Sequence, residues 1–287
     1  MPSVFIGEMI MYTKTVDLQK EYGLQGGTLD CMTIDAPFDL PAPNWKRPAL
    51  IVVPGGAYAF VSKREAEPIA LAFLARGFQT FVLTYLTAGE NGVSYPEQLI
   101  ELGAAVDYVK KHADELGVNK DEIFVVGFSA GGHLTGNLAI EYASVSEKAG
   151  QPLDCKPTAV GLSYPVISRV HGHIDSYENL LYGYTDEAKK ELLKTLNLNE
   201  AVTKDTPPAF LWATASDNAV PVDNAIRYAQ ALSDNGVEFE LHVYPRGVHG
   251  LSTCDEEINV KCDELVRARK WVDDCAAFFR LYCVESF

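Results

Sequence analysis

A serine stands at the centre of residues 127–131, which read Gly-Phe-Ser-Ala-Gly. This pattern follows directly on the apolar run Ile-Phe-Val-Val at 123–126 and precedes an alanine- and leucine-containing segment of helical type. A sharp strand-to-helix turn of this kind exposes the serine hydroxyl and places the free N–H groups of a helix N-terminus where an oxyanion would form. We therefore predict Ser129 as a nucleophile; a serine that merely caps the helix is the competing interpretation.

A serine hydroxyl needs a general base, and every histidine except His112 follows Ser129 in the chain. The candidates are His133, His171, His173, His242 and His249. His133 falls one helical turn beyond the serine, and His242 falls within a strand pattern. His249 lies in the loop Arg-Gly-Val-His-Gly-Leu (246–251), just after the last predicted strand. Because such a loop can bring a side chain over the carboxyl edge of a sheet, we predict His249 as the base.

The third group of such a relay is a carboxylate that accepts the second imidazole proton and orients the ring. Asp217 follows the apolar run Phe-Leu-Trp-Ala-Thr-Ala-Ser at 210–216, so we expect it on the loop at the carboxyl end of a strand. Asp223 is the alternative, but it falls at the start of the next helical segment, where an acidic residue interacts favourably with the helix dipole. We predict Asp217 as the acid.

An acyl-transfer site also needs hydrogen-bond donors for the negative oxygen that develops during attack. The turn Pro-Gly-Gly-Ala-Tyr at 54–58 follows the strand pattern Ala-Leu-Ile-Val-Val in the place where such donors are expected. We predict the backbone N–H groups of Ala57 and Ala130 as the donors, with Gly56 beside the former. Tyr58 is a candidate substrate-pocket residue, and an ordinary Pro-Gly turn is the competing interpretation.

Short apolar runs alternate with longer amphipathic or alanine-rich segments, which is typical of βαβ units around a mostly parallel sheet. The predicted strands are 49–53, 79–85, 123–127, 159–164, 209–214 and 238–244, and the predicted helices are 63–76, 96–116, 130–145, 222–235 and 262–282. Residues 166–208 form a polar excursion between two strands, which predicts a small lid or cap. We predict one α/β domain over residues 1–287.

Composition argues against several classes of partner. The formal charge of −15 and the pI of about 4.8 would repel nucleic acids and anionic membranes, so small neutral or cationic molecules fit better. No apolar run approaches the ~18 residues of a membrane span, and residues 1–20 lack a basic region before an apolar one. The six cysteines include no Cys-x-x-Cys pair, which predicts reduced thiols and a cytoplasmic location. The oligomeric state stays open, a homo-oligomer included.

Four segments together carry a family resemblance: PGGAY at 54–58, GFSAGGH at 127–133, the Asp217 segment at 216–224, and RGVHGLS at 246–252. From about residue 28 onward the chain resembles the α/β-hydrolase esterases that include acetylxylan esterase-like and lipase-like (BD-FAE-like) proteins. The resemblance implies the α/β-hydrolase fold, with a mostly parallel central sheet and helices on both faces. It also implies a triad at the matching positions 129, 217 and 249, and removal of acetyl groups from sugars.

Two positions depart from related esterases, and one further position matches the family. Pro54 begins the turn where hormone-sensitive-lipase-like enzymes have histidine, which favours the acetylxylan esterase-like group. Leu86 follows Tyr85 where relatives often have arginine, which leaves the substrate face open. His133 matches a histidine of the family's helix after the nucleophile, and we expect it to pack or hydrogen-bond behind the serine.

The predicted function is that of a serine ester hydrolase that works through an acyl-enzyme, with no metal or organic cofactor. Small acetylated carbohydrates such as acetylated xylo-oligosaccharides are the expected substrates. An arylformamidase or a small peptidase could use the same groups, and a non-enzymatic ligand receptor is the alternative from another class. His171 and His173 could bind a metal ion, but no third ligand is evident and we expect a surface role.

Overall fold

The central sheet is formed by short apolar strands, most of them covered on both faces. The computed structural model describes residues 11–35, 45–256, 258–259 and 267–284. Within these residues the sheet has eight strands: β1 (Met11–Asp17), β2 (Thr28–Ile34), β3 (Arg47–Val53), β4 (Gln79–Thr84), β5 (Val118–Phe128), β6 (Ala159–Ser163), β7 (Ala209–Thr214) and β8 (Phe239–Tyr244). Their spatial order is β1-β2-β4-β3-β5-β6-β7-β8. Strands β3 to β8 pair in parallel, whereas β1 and β2 pair antiparallel.

Strand β3 shows why its sequence is apolar without alternation. Ala49, Ile51 and Val53 belong to the hydrophobic cluster on one face of the sheet, and Leu50 and Val52 belong to the cluster on the other. All five side chains are fully buried. Because burial of a leucine-sized side chain contributes roughly 1.5–3 kcal/mol, a continuous apolar run stabilises a strand that is covered on both sides. The predicted mostly parallel sheet is confirmed.

Helices cover both faces of this sheet. They are α1 (Leu18–Tyr22), α2 (Glu67–Leu74), α3 (Ala88–Asn91), α4 (Glu97–Lys111), α5 (Ala130–Glu141), α6 (Val145–Ala149), α10 (Asp223–Asp234) and α11 (Trp271–Arg280), with three more in the excursion described next. Leu102, Leu134 and Leu232 bring α4, α5 and α10 into one cluster, whereas Phe73 and Trp271 bring α2 and α11 into the other. None of the helices in the described ranges is long and apolar enough to cross a membrane.

The excursion at 166–208 joins β6 to β7 and is largely helical. It contains α7 (Ile174–Leu180), α8 (Asp186–Leu196) and α9 (Leu198–Ala201). Buried leucines at the ends of these helices, among them Leu180, Leu196 and Leu198, pack into the cluster that includes α5. The segment is therefore a packed helical cover on the sheet rather than a structureless loop.

Strands β1 and β2 were not predicted from the sequence. Their residues, MYTKTVD and TLDCMTI, mix polar and apolar side chains, and β1 is exposed along most of its length. Strand β2 pairs antiparallel with β4, and β1 forms the edge of the sheet beyond it, so this pair of strands is partly open to solvent. A strand at such an edge needs no continuous apolar run. The search for apolar runs, which predicts the buried strands, therefore does not predict β1 and β2.

Helix boundaries differ from the predicted ones for local reasons. The predicted helix 63–76 divides into a 3₁₀ turn (Lys63–Glu65) and α2, and Pro68 occupies the first turn of α2, where its missing N–H is tolerated. The predicted helix 96–116 ends at Lys111. In the predicted helix 262–282, α11 accounts for Trp271–Arg280, and residues 262–266 lie outside the described residues.

Candidate active site

Ser129 lies on a sharp turn between β5 and α5. Its backbone has φ 54° and ψ −117°, a conformation that residues with a side chain rarely adopt. Glycines make the turn possible: a Cβ added to Gly127 would lie 2.2 Å from the carbonyl oxygen of Gly131, and one added to Gly131 would lie 2.2 Å from that of Val53. The Gly-x-Ser-x-Gly pattern thus forms a strand-to-helix turn with the serine at its apex.

His249 forms hydrogen bonds with both of its predicted partners. Its Nε2 lies 2.8 Å from Oγ of Ser129, and its Nδ1 lies 2.7 Å from Oδ2 of Asp217. The second carboxylate oxygen, Oδ1, accepts the backbone N–H groups of Ala219 and Val220 at 2.9 and 3.0 Å. Because an ionised carboxylate can only accept, Nδ1 of His249 carries the donated proton, and Nε2 is left to accept the hydroxyl proton of Ser129.

The alternative acid and an alternative histidine have other partners. Asp223 contacts Arg227 and lies 3.4 Å from Nδ1 of His171, and its side chain is 43% exposed. His242, within β8, pairs with Glu240 of the same strand. Neither contact involves Ser129 or His249, so the structure brings only one of the two candidate acids into the serine–histidine arrangement.

The turn after β3 has an unusual backbone conformation. Gly56, Ala57 and Tyr58 all have positive φ values, of 124°, 54° and 57°. At Gly56 this conformation requires glycine, because a Cβ there would lie 1.9 Å from the carbonyl oxygen of Phe60. The carbonyl oxygen of Ala57 accepts a hydrogen bond of 2.9 Å from Nδ2 of Asn179 in α7. The helical cover therefore fixes the orientation of this turn.

The turn lies directly beside the serine. A Cβ added to Gly55 would lie 3.0 Å from Cβ of Ser129. Within the described ranges, the backbone N–H groups of Gly56, Ala57 and Ala130 donate to no protein acceptor. Free donors next to a nucleophile are what an anionic oxygen needs for stabilisation during acyl transfer.

A small cleft of about 260 Å³ opens over Ser129. Its lining includes Phe60, a residue that is 52% exposed, and His173 from the helical cover. Tyr58 is not among the lining residues: it is 1% exposed, and its hydroxyl lies 2.8 Å from Nδ1 of His133. The prediction of a substrate contact through Tyr58 therefore does not fit its placement, because the positive φ of the turn directs this side chain into the protein.

His133 connects three elements behind the serine. Its Nε2 lies 2.9 Å from the carbonyl oxygen of Leu196 at the end of α8, which can only accept, so Nε2 carries the proton. Nδ1 then accepts the hydroxyl proton of Tyr58. Burial lowers the pKa of His133 to about 4, which keeps the ring neutral. The expectation of a packing and hydrogen-bonding role fits this geometry.

Residues near the site that the sequence does not identify include Tyr164, Asn179 and His173. The ring of Tyr164 packs edge-on against His249, with centroids 5.1 Å apart, and Asn179 holds the turn at Ala57. His173, for which the sequence predicts a surface role, lines the cleft, and its Nδ1 lies 3.2 Å from Oγ of Ser176. The position of Tyr164 at the end of a predicted strand could have identified it, but no sequence signal marks Asn179.

In the part of the chain that the structure describes, no group of three or more metal-binding side chains occurs.

Comparisons with known proteins agree with this architecture. The BD-FAE family matches residues 39–232. Endo-1,4-beta-xylanase B of Butyrivibrio fibrisolvens is 36% identical over 74% of this chain, and the acetylxylan esterase of Xylanibacter ruminicola is 33% identical over 70%. The matches span only 34% and 40% of those two proteins.

Among solved structures, the acetyl ester-xyloside bifunctional hydrolase from Caldicellulosiruptor lactoaceticus superposes with a TM-score of 0.76 at 29% sequence identity. The match covers 98% of this chain and 98% of that one. An α/β-hydrolase enzyme from a Medee basin deep-sea metagenome library has a TM-score of 0.75 at 30% identity, over 95% of this chain and 98% of that one. The chain therefore has the α/β-hydrolase fold and belongs to the BD-FAE family.

Proposed function

We propose that this chain is a serine carboxylic-ester hydrolase that removes acetyl groups from small carbohydrates such as acetylated xylo-oligosaccharides. The observation that carries the proposal is the pair of hydrogen bonds of His249, 2.8 Å to Oγ of Ser129 and 2.7 Å to Asp217. A serine paired with an oriented imidazole and flanked by free backbone donors is the arrangement that acyl transfer requires.

In the proposed mechanism, Oγ of Ser129 attacks the ester carbonyl carbon while Nε2 of His249 takes the hydroxyl proton. The N–H groups of Ala57 and Ala130, with Gly56 beside the former, hold the negative oxygen of the tetrahedral intermediate. The intermediate collapses as the carbon–oxygen bond to the alcohol breaks, and His249 returns its proton to the leaving alkoxide. A water molecule then attacks the acyl-serine by the same route, releasing the acid and restoring the hydroxyl.

The acetyl and carbohydrate parts of the proposal rest on the size of the site and on similarity. A cleft of about 260 Å³ lies near the lower end of the usual ~300–1,000 Å³ of ligand pockets, which suits a small substrate. Phe60 offers an exposed aromatic surface at the cleft, which suits the apolar face of a sugar ring. Two of the similar proteins are named for acetylxylan and for an acetyl ester and xyloside.

Two assays test this function. One measures acetate release from acetylated xylo-oligosaccharides, and the other measures hydrolysis of p-nitrophenyl acetate, butyrate and octanoate. We expect the acetyl substrates to have the highest kcat/KM. Ser129→Ala should lose about 10⁴- to 10⁶-fold in kcat. The matched control Ser233→Ala replaces an exposed serine of α10 and should leave the rate unchanged. A preference for octanoate would overturn the acetyl assignment, and near-normal turnover by Ser129→Ala would overturn the serine mechanism.

Amide substrates test the remaining alternatives. An N-formyl arylamine and a dipeptide p-nitroanilide serve as probes of arylformamidase and peptidase activity. We expect kcat/KM for both to lie well below that for p-nitrophenyl acetate. A higher value for either amide would assign the same groups to amide cleavage instead.

We further propose that residues 1–287 form one domain and that the protein acts in the cytoplasm on small oligosaccharides. Five described cysteines (31, 155, 254, 275 and 283) are free thiols, four of them buried, which suits a reducing compartment; Cys262 lies outside the described residues. A single cooperative unfolding transition tests the domain proposal, because two domains would give two. Cell fractionation with an esterase assay tests the location, and activity confined to the culture medium would contradict it.

A further inference from the structure

Glu65 is a buried carboxylate at the edge of the cleft. It ends the 3₁₀ turn Lys63–Glu65, is 3% exposed, and lines the same cleft as Ser129 and His249. Within the described ranges it forms no ion pair with a lysine or an arginine. Burial of a carboxylate without a cationic partner is unfavourable unless hydrogen bonds compensate for its lost hydration. The hydrogen-bond donors around Glu65 therefore show which groups stabilise it in the protein.

Each oxygen of this carboxylate has its own donor. Oε2 accepts the backbone N–H of Gly55 at 3.0 Å, and Oε1 accepts the hydroxyl of Tyr164 at 2.7 Å. The Tyr164 oxygen itself accepts the N–H of Ser252 at 2.9 Å, so its own proton is directed to Glu65. Burial raises the pKa of Tyr164 well above its usual value, which keeps this proton in place. Since both partners donate, the pattern fits an ionised Glu65.

The hydrogen-bond partners of Glu65 lie next to the groups that take part in the proposed reaction. Gly55 directly precedes Gly56 and Ala57, whose backbone N–H groups donate to no protein acceptor in the described ranges. Tyr164 packs edge-on against the His249 ring, with an interplanar angle of 72°. Ser252, three residues after His249, has a strained φ of 53°, and its side-chain oxygen donates to the backbone carbonyl of residue 64. One carboxylate thus joins the donor turn, the end of β6 and the histidine loop.

We infer that Glu65 is a positioning residue for the proposed acyl transfer, which holds the donor turn and the His249 loop in register and stabilises the imidazolium formed when Ser129 loses its proton. This inference rests on the proposed function. The carboxylate acts through Gly55 and Tyr164 and touches no reacting atom. Its charge adds to that of Asp217, which contacts His249 directly.

The surroundings of His249 define what a change at Glu65 can be expected to alter. Asp217 and Tyr164 contact the imidazole, and Arg64, Glu65 and His173 are the charged or titratable side chains that share its cleft. A carboxylate nearby favours the protonated imidazole. Removal of its charge should therefore make His249 lose its proton at lower pH, whereas a packing defect should not.

Glu65→Gln tests the inference, because the amide keeps the shape and removes the charge. With p-nitrophenyl acetate we expect kcat to fall about 10- to 100-fold, the size of a lost hydrogen bond to a charged group, while KM stays within about threefold. The acid limb of the kcat/KM pH profile should move at least ~0.5 unit lower. The matched control Glu67→Gln removes the same charge from an exposed neighbour and should behave as wild type. A kcat within threefold of wild type, or a fall in kcat with an unshifted limb, would overturn the inference.

A second variant covers the case in which Glu65→Gln does not fold. Tyr164→Phe keeps the ring against His249 but removes the hydroxyl, and we expect a kcat loss of about 3- to 10-fold with an unshifted acid limb. The double variant should lose clearly less kcat than the product of the two single losses, because both changes break one network. Wild-type kcat in Tyr164→Phe, or fully multiplicative losses, would count against the inference. Loss of activity in Ser129→Ala tests the proposed function separately and does not depend on either result.

Discussion

Oδ2 of Asp217 lies 2.7 Å from Nδ1 of His249, and the side chain of Asp217 is only 1% exposed. Its other oxygen is held by two backbone N–H groups, so the carboxylate cannot turn away from the ring. This fixed contact determines which imidazole nitrogen faces Ser129. The same relationship distinguishes Asp217 from Asp223, whose carboxylate is 43% exposed and contacts Arg227.

Asp217→Asn should therefore lower kcat for p-nitrophenyl acetate by about 10⁴-fold, because the amide favours the wrong imidazole tautomer. Asp223→Asn, the matched control, should stay within about threefold of wild type. Steady-state kinetics on both variants check this prediction. Comparable losses in the two variants would contradict the assignment of the acid.

The helical cover also contributes to the site through Asn179, which donates to the carbonyl oxygen of Ala57. Asn179→Ala should lower kcat up to about 10-fold with little change in KM, because one net hydrogen bond is worth roughly 0.5–1.5 kcal/mol. Asp175→Ala, at an exposed position of the same helix, serves as control. If Asn179→Ala changes only KM, the contact acts on substrate binding and not on the donor turn.

Burial of His133 predicts a pH dependence of stability. Its pKa falls to about 4 in the folded protein, from an ordinary value near 6.5. The unfolded chain thus binds an extra proton between these values, so this residue's contribution is complete above pH 6.5 and is lost as the pH falls towards 4. The contribution is roughly 3 kcal/mol.

Urea unfolding of His133→Gln and wild type at pH 7 and pH 4.5 measures this effect. The variant keeps a donor and an acceptor at the site but cannot titrate, so its stability should fall less across the interval. The matched control is His112→Gln, which replaces a partly buried histidine outside this cluster. Its free energy of unfolding should fall between pH 7 and pH 4.5 by as much as that of wild type. If the free energy of unfolding falls equally in His133→Gln and wild type between these two pH values, the buried ring is not the cause of the pH dependence.

Close backbone contact at the serine turn makes Gly131 intolerant of a side chain. A Cβ there would lie 2.2 and 2.3 Å from the carbonyl oxygens of Val53 and Pro54. Gly131→Ala should lower the free energy of unfolding by several kcal/mol, beyond the ~1–3 kcal/mol typical of overpacking. Gly183→Ala is the matched control, because its Cβ meets nothing within 4 Å and adds only about 1–2 kcal/mol of positive-φ strain. Thermal or urea unfolding compares them, and equal losses would contradict the steric argument.

The buried parts of the fold were predictable because each carries a local sequence signature. The run Ala-Leu-Ile-Val-Val around Leu50 is apolar because both faces of β3 are covered, and the glycines around Ser129 mark close backbone contact. The antiparallel pair of β1 and β2 has no such signature, since it is partly exposed at an edge.

Side-chain direction was less predictable than position. Tyr58 was correctly placed on the turn after β3, yet its φ of 57° turns the phenol towards His133 and away from the cleft. Asn179 and Glu65 reach the site from segments whose distance to Ser129 depends on tertiary packing. Spacing along the chain does not report such contacts.

The central claim is that Ser129 is the nucleophile, and covalent trapping tests it most directly. The protein is incubated with diethyl p-nitrophenyl phosphate, and labelled peptides are mapped by mass spectrometry while esterase activity is followed. We predict one diethylphosphoryl group per chain, located on Ser129, with activity lost in proportion to labelling and no labelling of Ser129→Ala. Inactivation without an adduct on Ser129, or full activity after stoichiometric labelling there, would contradict the claim.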